Sequence, residues 1–118
     1  MRLNQGPAKK LSAYIGENCT YDDKPLYQAL VEAARTAGCA GATVLRGITG
    51  FGATSCAEGQ YNRARLSGDL PVVVQVIDVD YRITALAEVF KAMVGDGLVT
   101  IEDIVVLMYQ GGQGEPGS

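Results

Sequence analysis

The chain has 118 residues, 47% of them hydrophobic and 19% charged, which is a composition typical of one globular domain. Its net charge of −3 gives no electrostatic basis for a nucleic-acid partner, and no apolar run approaches the roughly 20 residues of a membrane span. Histidine is absent, which excludes Ser–His and Cys–His catalytic pairs and histidine-ligated metal sites. Because residues 1–10 lack the apolar stretch of a secretory signal, we expect a cytoplasmic protein without membrane insertion.

The three cysteines are Cys19, Cys39 and Cys56. They have no CxxC spacing, and their odd number argues against a disulfide framework. We therefore predict reduced thiols that are mostly structural. Cys56 falls in a segment predicted below to be an exposed loop, and the sequence leaves its redox activity open.

The first third of the chain predicts a strand followed by a helix. Apolar residues alternate with polar ones over Lys10–Gly16, as in a strand with one buried face. Asp22 and Asp23 before Pro25 are a helix-start signature, and the helix is expected to run to about Ala37. Its apolar stripe comprises Leu26, Leu30, Ala33, Ala34 and Ala37.

The middle of the chain predicts two further strands and a second helix. The strands are expected over Ala42–Ile48 and Pro71–Val79, and a long polar loop over residues 50–68 separates them. The helix is expected over Tyr81–Val94. Its cap candidates are Asp78 and Asp80, and its apolar stripe comprises Ile83, Leu86, Ala87, Phe90 and Val94.

A final strand is predicted around Ile104–Tyr109, with Val99–Asp103 as an approach or an extra turn. Residues 1–9 and 110–118 are predicted tails, the second of them disordered, which leaves one domain over residues 10–109. The order βαββαβ indicates an α+β, ferredoxin-like sandwich, with two helices on one face of a four-stranded antiparallel sheet.

Two of the predicted strands are apolar on both faces. In the third strand only Gln75 interrupts the apolar run, and Ile104–Tyr109 is apolar throughout. Two helices cover only one face of a sheet, so the second face needs another apolar partner. We therefore expect the chain to form a homo-oligomer.

Two glycine motifs follow predicted elements and are candidate anion sites. Gly50-Phe51-Gly52 comes after the second strand, and Gly95-Asp96-Gly97 comes after the second helix. Backbone N–H groups at such ends can bind an anion, although glycine pairs mark ordinary turns far more often.

In their order along the chain, these motifs resemble those of the PII signalling proteins. The run Gly41-Ala-Thr-Val-Leu-Arg-Gly47 before Gly50-Phe-Gly52 resembles the strand that enters the PII T-loop. Gly95-Asp-Gly97 resembles the B-loop, and Leu70-Pro71 resembles the return of the T-loop to the sheet. A PII-like family called domain of unknown function 190 is more similar still over residues 10–109. Its further shared segments are Tyr14-Ile-Gly-Glu17, Pro25-Leu-Tyr27, Asp69-Leu-Pro-Val72 and Gly95-Asp-Gly-Leu98.

The resemblance implies a homotrimer whose sheets face one another, with adenine nucleotides bound in clefts between subunits. The base of the T-loop and the B-loop would wall each cleft. The implied nucleotide contacts are the backbone of Gly50, Phe51 and Gly52, the phosphate-facing N–H groups of Gly95, Asp96 and Gly97, and the Thr43 side chain at the adenine edge.

Three cationic features of the PII pattern are missing from this sequence. Leu98 stands where a lysine follows the B-loop, Val72 stands where a lysine follows the T-loop return, and the C-terminal segment has no Arg-x-Arg. The remaining phosphate candidates are Arg46, Arg63 and Arg65. Because an uncompensated polyphosphate is costly to desolvate, we expect AMP or ADP rather than ATP.

The resulting hypothesis is a regulator without enzymatic activity or a required cofactor. It would bind AMP or ADP and signal through residues 50–68 to an unidentified target protein, with a membrane transporter as one candidate. Tyr61 lies in this loop, but its neighbours do not match the motif in which some PII proteins carry a modified tyrosine.

The alternatives are a small enzyme and a metal-binding trimer on the same scaffold. An enzyme would depend on carboxylates, and no pair of them has diagnostic spacing. A metal site would need cysteines or carboxylates from several subunits. The acid/base candidates for an enzyme are Glu17, Asp22, Asp23, Asp96, Glu102 and Asp103.

Overall fold

The computed structural model describes residues 2–50 and 70–111. Within them, strands and helices alternate much as the sequence predicts, with one additional hairpin. In chain order the elements are β1 (Gly6–Gly16), β2 (Thr20–Tyr21), β3 (Lys24–Pro25), α1 (Leu26–Thr36), β4 (Ala42–Arg46), β5 (Pro71–Asp78), α2 (Asp80–Met93) and β6 (Leu98–Val106).

The main sheet has four antiparallel strands in the order β4-β5-β1-β6. Helix α1 packs on β4 and β5, and α2 packs on β1, β5 and β6, so both helices cover the same face. This is the strand order of a ferredoxin-like βαββαβ unit, and the predicted fold class is confirmed. The small β2–β3 hairpin forms a separate two-stranded sheet that the sequence analysis missed.

The helix-covered face of the sheet forms the hydrophobic core. Helices α1 and α2 contribute Leu30 and Phe90, which are both 0% exposed. Burial of such a side chain stabilises the fold by about 1.5–3 kcal/mol. The buried strand residues alternate along the chain, as expected for one face of each strand, and are Leu11, Ala13, Ile15, Val72, Val74 and Val76.

Both predicted helical stripes face this core. Ala37 is the exception, since it is exposed just beyond the last residue of α1. The stripe residues that are buried are Leu26, Leu30, Ala34, Ile83, Leu86 and Phe90, and those partly buried against the core are Ala33, Ala87 and Val94.

Strand β1 begins at Gly6, four residues before its predicted start at Lys10, so residues 6–9 are not part of a tail. The charged pair Lys9 and Lys10 interrupts the apolar alternation and hides this extension in the sequence. In the structure both lysines lie opposite carboxylates of β6, where Lys9 pairs with Asp103 and Lys10 lies 3.8 Å from Glu102. The pairing strand therefore decides where β1 begins.

Strand β6 also begins earlier than predicted, at Leu98 rather than near Ile104. The segment Val99–Asp103, interpreted from sequence as an approach or turn, forms the middle of the strand because it pairs with β1 throughout. Residues 107–111 follow without regular structure. The predicted disorder of residues 112–118 concerns a segment outside the described residues.

The two aspartates that were predicted to start the first helix do not belong to that helix. Asp22 and Asp23 have φ angles of +51° and +63° and form the turn between β2 and β3. A two-residue hairpin turn needs such left-handed residues, and aspartate tolerates this backbone better than most side chains. Helix α1 instead follows Pro25, with no acidic residue in its first turn.

The second helix follows Val79, and neither Asp78 nor Asp80 caps it through a side chain as predicted. Asp78 is 0% exposed because it belongs to the core-facing row of β5. Its carboxylate accepts hydrogen bonds from the Ala40 N–H and the Val79 N–H, both at 2.7 Å, and from Arg82 at 3.0 Å. It thereby ties the segment after α1 to the start of α2.

Candidate functional site

The sheet face opposite the helices, called here the open face, carries exposed apolar side chains. Leu45, Ile77 and Leu98 are 51%, 36% and 54% exposed, although each lies in a strand of the main sheet. The exposed Leu107 and Met108 follow the last of these strands. The apolar second face predicted from sequence is therefore present.

The base of the predicted T-loop is formed by Gly47, Gly50 and Pro71. The Gly47 N–H donates to the Pro71 carbonyl at 2.7 Å, which joins the two ends of the loop. A Cβ on Gly47 would lie 2.7 Å from Pro71 Cγ, so the close approach requires glycine. At Gly50, φ is +155° and a Cβ would lie 3.2 Å from the same proline ring.

Arg46, a predicted phosphate contact, ends β4 beside this base. Its guanidinium Nη2 lies 3.1 Å from the carboxylate Oε2 of Glu17. The Glu17 N–H also donates to the Leu70 carbonyl at 2.8 Å, so Glu17 is anchored to the returning end of the loop. Sequence reasoning considered Glu17 only as a candidate acid or base and missed this role.

The predicted B-loop, Gly95-Asp96-Gly97, connects α2 to β6. Gly97 has a φ of +156°, and a Cβ there would lie 2.7 Å from the Tyr14 carbonyl oxygen and 2.9 Å from Val94 Cγ1. Gly95 has open space around it. The second glycine of the motif is therefore needed for close packing against β1.

The loop base and the B-loop lie at the same end of the sheet but at opposite edges. Arg46 pairs with Val72 and Val72 pairs with Ile15, while the adjacent Tyr14 pairs with Leu98. Three strand spacings separate the outer strands, which places them about 14 Å apart. Within one chain the structure does not bring the loop base and the B-loop together.

Thr43 lies on the open face of β4, opposite Gln75 of β5. It is exposed and is three residues from Arg46, so the two side chains leave β4 on opposite faces of the sheet. The other predicted site residues, together with Cys56 and Tyr61, lie outside the described residues. Those site residues are Phe51, Gly52, Arg63 and Arg65.

The predicted absence of disulfide bonds is wrong for Cys19, which is disulfide-bonded and 4% exposed. An odd cysteine count permits one bond beside a free thiol, so the count alone did not exclude it. Cys39 is free. Burial raises the pKa of its thiol to about 11, and the Asp78 carboxylate adds to the shift. Cys39 is therefore a protonated thiol at neutral pH.

Residues 2–50 and 70–111 hold no group of three or more Cys, Asp or Glu residues that could bind a metal ion. Of the helices in the same ranges, neither combines the length and hydrophobicity that a bilayer span requires. Within the described residues, the candidate site consists of the loop base, with its Arg46–Glu17 pair, and the B-loop.

The profile of the DUF190 family, described as "Uncharacterized ACR", matches residues 8–106. The chain belongs to the DUF190 family. This DUF190 protein is 36% identical over 99 residues to a UPF0166 protein of Aquifex aeolicus, covering 84% of this chain and 92% of the other. It is 31% identical over 105 residues to a UPF0166 protein of Methanocaldococcus jannaschii, covering 88% and 94%.

Among solved structures, this DUF190 protein is similar to CPII of Thiomonas intermedia K12, described as a nitrogen regulatory PII-like protein. The CPII structure bound to ADP, AMP and acetate gives a TM-score of 0.57 at 20% identity. The one bound to ADP and bicarbonate gives 0.56 at 22%. Both cover 85% of this chain and 88% of CPII. The likeness shows a shared PII-like fold, and the predicted family and fold are confirmed.

Proposed function

We propose that this DUF190 protein is a regulator that binds AMP or ADP in clefts between the subunits of a homotrimer. The observation that carries the proposal is the placement of the loop base and the B-loop at one end of the sheet but on opposite edges. One chain cannot close a cleft between them. A cyclic neighbour that brings its β6 edge beside the β4 edge of the first chain would do so.

The choice of ligand is supported by the related fold. The CPII structures contain ADP, and two of them also contain AMP. In this chain the B-loop would offer backbone N–H groups to a phosphate, Arg46 would offer a cation, and Thr43 would offer a hydroxyl to the adenine edge. The T-loop candidates Phe51, Gly52, Arg63 and Arg65 belong to the same proposal.

The number of phosphates is limited by the available positive charge. Val72 is 2% exposed and faces the core, so this position of the loop return presents no group to a ligand. Leu98 is 54% exposed but apolar. Among the described residues next to the two motifs, Arg46 is the cation in reach, and it already pairs with Glu17. A ligand with one or two phosphates fits this charge better than ATP.

Regulation would operate through residues 50–68. These residues begin at the loop base, so a ligand that contacts the base would favour one arrangement of the loop over others. The ligand would then change the affinity for a target protein in the cytoplasm, with a membrane transporter as one candidate. We propose no catalytic step.

Isothermal titration calorimetry with AMP, ADP, ATP and a cyclic nucleotide tests this proposal. We expect AMP or ADP to bind with one site per subunit and ATP to bind more weakly. Arg46→Ala should weaken nucleotide binding, whereas Arg35→Ala on the exposed side of α1 should not. Absence of binding by all four nucleotides at millimolar concentration would contradict the proposal. If chromatography instead shows that the protein converts the nucleotide into a product, that result would favour the enzyme alternative.

A further inference from the structure

The disulfide bond of Cys19 has a single candidate partner within the chain. The sequence contains three cysteines, Cys19, Cys39 and Cys56. Cys19 is disulfide-bonded, and Cys39 is a free thiol. The remaining cysteine is Cys56, which lies outside the described residues, so its pairing with Cys19 follows from the cysteine inventory. The bond therefore joins residues 50–68, the segment proposed above to signal, to the body of the domain.

The Cys19 end of the disulfide is fixed in the hydrophobic core, at the turn that follows β1. Cys19 is 4% exposed and belongs to the same core cluster as Leu26. Its N–H donates to the Gly16 carbonyl at 3.1 Å, and its carbonyl accepts from the Leu26 N–H at 2.8 Å. Because both backbone groups of Cys19 are hydrogen-bonded and its side chain is buried, this end is a rigid anchor.

The turn that contains Cys19 also contacts both ends of the loop. Two residues before Cys19, the Glu17 N–H donates to the Leu70 carbonyl at 2.8 Å, and the Glu17 carboxylate lies 3.1 Å from the guanidinium of Arg46. These contacts hold the start and the return of the loop, and the disulfide adds a covalent contact to its interior. Residues 16–19 are therefore in a position to couple the state of the disulfide to the loop base.

The described core forms without help from a covalent link to the loop. The four strands of the main sheet are hydrogen-bonded to one another, and Leu30 and Phe90 of the covering helices are 0% exposed. A domain of 118 residues with such a core does not need the disulfides on which small secreted domains depend. A reduced Cys19 also suits its buried position, because a free cysteine behaves as a small hydrophobic residue. Opening of the bond should therefore leave the fold intact.

We propose that the Cys19–Cys56 disulfide is a reversible redox switch, which glutathione opens in the folded protein and which constrains residues 50–68 when it is closed. In the cytoplasm, the location proposed above, thiol reductants keep most cysteines reduced, and disulfides that do form are usually redox-sensing or catalytic. The switch rests on the proposed function only for what it regulates, which is ADP binding at the loop base.

Opening of the bond is a two-electron reduction by two molecules of glutathione. The first thiolate attacks the Cys56 sulfur, because Cys19 is buried and Cys56 belongs to a segment predicted to be exposed. The S–S bond breaks, and Cys19 leaves as a thiolate. The second thiolate attacks the glutathione sulfur of the mixed disulfide, which releases Cys56 and forms oxidised glutathione. The two protons from the glutathione thiols end on Cys19 and Cys56.

The third cysteine does not disturb this exchange. Burial raises the pKa of the Cys39 thiol to about 11, so it is protonated at neutral pH. Since only a thiolate attacks a disulfide, Cys39 does not displace Cys56 from its bond with Cys19. The pairing is therefore kept through cycles of oxidation and reduction.

The closed disulfide should favour ADP binding. The proposed backbone contacts Gly50, Phe51 and Gly52 precede Cys56 by a few residues. A bond at Cys56 restricts the conformations of this backbone in the free protein, so less conformational entropy is lost when the nucleotide binds. By linkage, ADP must make the disulfide harder to reduce by the same factor. Couplings of this kind are at least about fivefold.

Peptide mapping after equilibration in glutathione buffers tests the switch on the full chain. The samples are quenched with acid, alkylated in urea, digested and analysed by mass spectrometry. In the oxidised protein we expect a cross-linked peptide pair that contains Cys19 and Cys56, with Cys39 alkylated. In buffers rich in reduced glutathione we expect this pair to be lost and all three cysteines to be alkylated, while circular dichroism shows an unchanged fold.

Calorimetry measures what the switch regulates. We expect the reduced protein to bind ADP at least about fivefold more weakly than the oxidised protein. Cys56→Ser should bind ADP as weakly as the reduced protein and should not respond to glutathione. Cys39→Ser is the matched control and should keep the cross-linked peptide pair and the full response, since Cys39 is free.

The outcomes separate the switch from the proposed function. A disulfide that glutathione opens only in urea would overturn the switch and mean that the bond is structural. A cross-link of Cys19 to Cys39 or to a second chain would overturn the pairing. Equal ADP affinity of the oxidised and reduced forms would overturn the regulatory role. If neither form binds ADP, the proposed function fails, and the glutathione titration still decides whether the disulfide is reversible in the folded protein.

Discussion

The guanidinium of Arg46 lies 3.1 Å from the carboxylate of Glu17 and thereby joins the end of β4 to the residue that follows β1. The Glu17 N–H is hydrogen-bonded to the Leu70 carbonyl, so the pair lies where the long loop leaves the sheet and returns to it. The Arg46 side chain is 62% exposed, and a phosphate can approach it from solvent. Glu17 and a ligand phosphate would then compete for the same guanidinium.

Replacing Glu17 by glutamine should therefore strengthen nucleotide binding. Glu17→Gln removes the competing charge with little change in shape, and we expect the affinity for ADP to rise by up to about fivefold, as for other exposed ion pairs. Calorimetry measures the affinity. Glu88→Gln, which removes a similar pair with Lys91 at 3.2 Å on α2, is the control and should leave ADP binding unchanged. Weaker ADP binding by Glu17→Gln would show that the carboxylate orients Arg46 rather than competing for it.

The two glycines of the B-loop should differ in their tolerance of a side chain. Gly97→Ala places a Cβ 2.7 Å from the Tyr14 carbonyl oxygen at a φ of +156°, and we expect it to lower the free energy of unfolding by about 1–3 kcal/mol. Gly95→Ala, which meets open space, should change it by less than about 1 kcal/mol. Urea denaturation of both variants measures the difference. Equal stability of the two would mean that the B-loop does not pack on β1 in this way.

Asp78 should be the most important buried charge for stability among the described residues. Asp78→Ala removes the acceptor of the Ala40 and Val79 N–H groups and the partner of Arg82, and we expect the free energy of unfolding to fall by about 3–5 kcal/mol. Thermal or urea denaturation measures the loss. Asp80→Ala, which removes an exposed acceptor of the Thr84 hydroxyl at 3.0 Å, should cost less than about 1 kcal/mol. A loss at Asp78 no larger than at Asp80 would contradict the structural role assigned to it.

Cys39 should react slowly with alkylating agents in the folded protein. Burial raises the pKa of its thiol from 9.0 to about 11, so the thiolate fraction at pH 8 is far below that of an unfolded chain. Mass spectrometry of the Cys39 peptide after iodoacetamide treatment, with and without urea, measures the difference. A rate in the folded protein equal to that in urea would contradict the burial of this thiol.

The same shift predicts how stability depends on pH. Because the folded state holds the thiol proton more tightly than the unfolded state, this contribution to stability is present below about pH 9 and is lost as the pH rises through about 11. Urea denaturation over this range measures the fall. Cys39→Ala is the control and should show a smaller fall between the two pH values, since it has no thiol to ionise.

Local patterns were sufficient for most of the elements. The apolar stripes placed α1 and α2 correctly because a helix of this length must bury one face, and Leu30 and Phe90 lie in the core as predicted. The starts of β1 and β6 were not predicted, because each depends on the other strand. Lys9 and Asp103 look like surface charges in sequence and become strand residues only when they pair.

The candidate site was predicted in part. Its glycine motifs could be found from sequence, because each ends an element and because their order matches a known family. The ion pair of Arg46 with Glu17 could not, since the two residues are far apart in sequence and meet through the sheet. The turn role of Asp22 was also hidden, because the same residue type caps helices and occupies left-handed turns.

The sequence by itself determined the βαββαβ order, the apolar second face of the sheet and the family, because helical and strand periodicities and short motifs are local properties of the chain. The tertiary structure alone decided the register. Register places Thr43, Gln75, Ser12 and Thr100 in one row, and it places the loop base and the B-loop on opposite edges. Strand pairing joins residues that are distant along the chain, and no local pattern specifies which pairs of residues become neighbours.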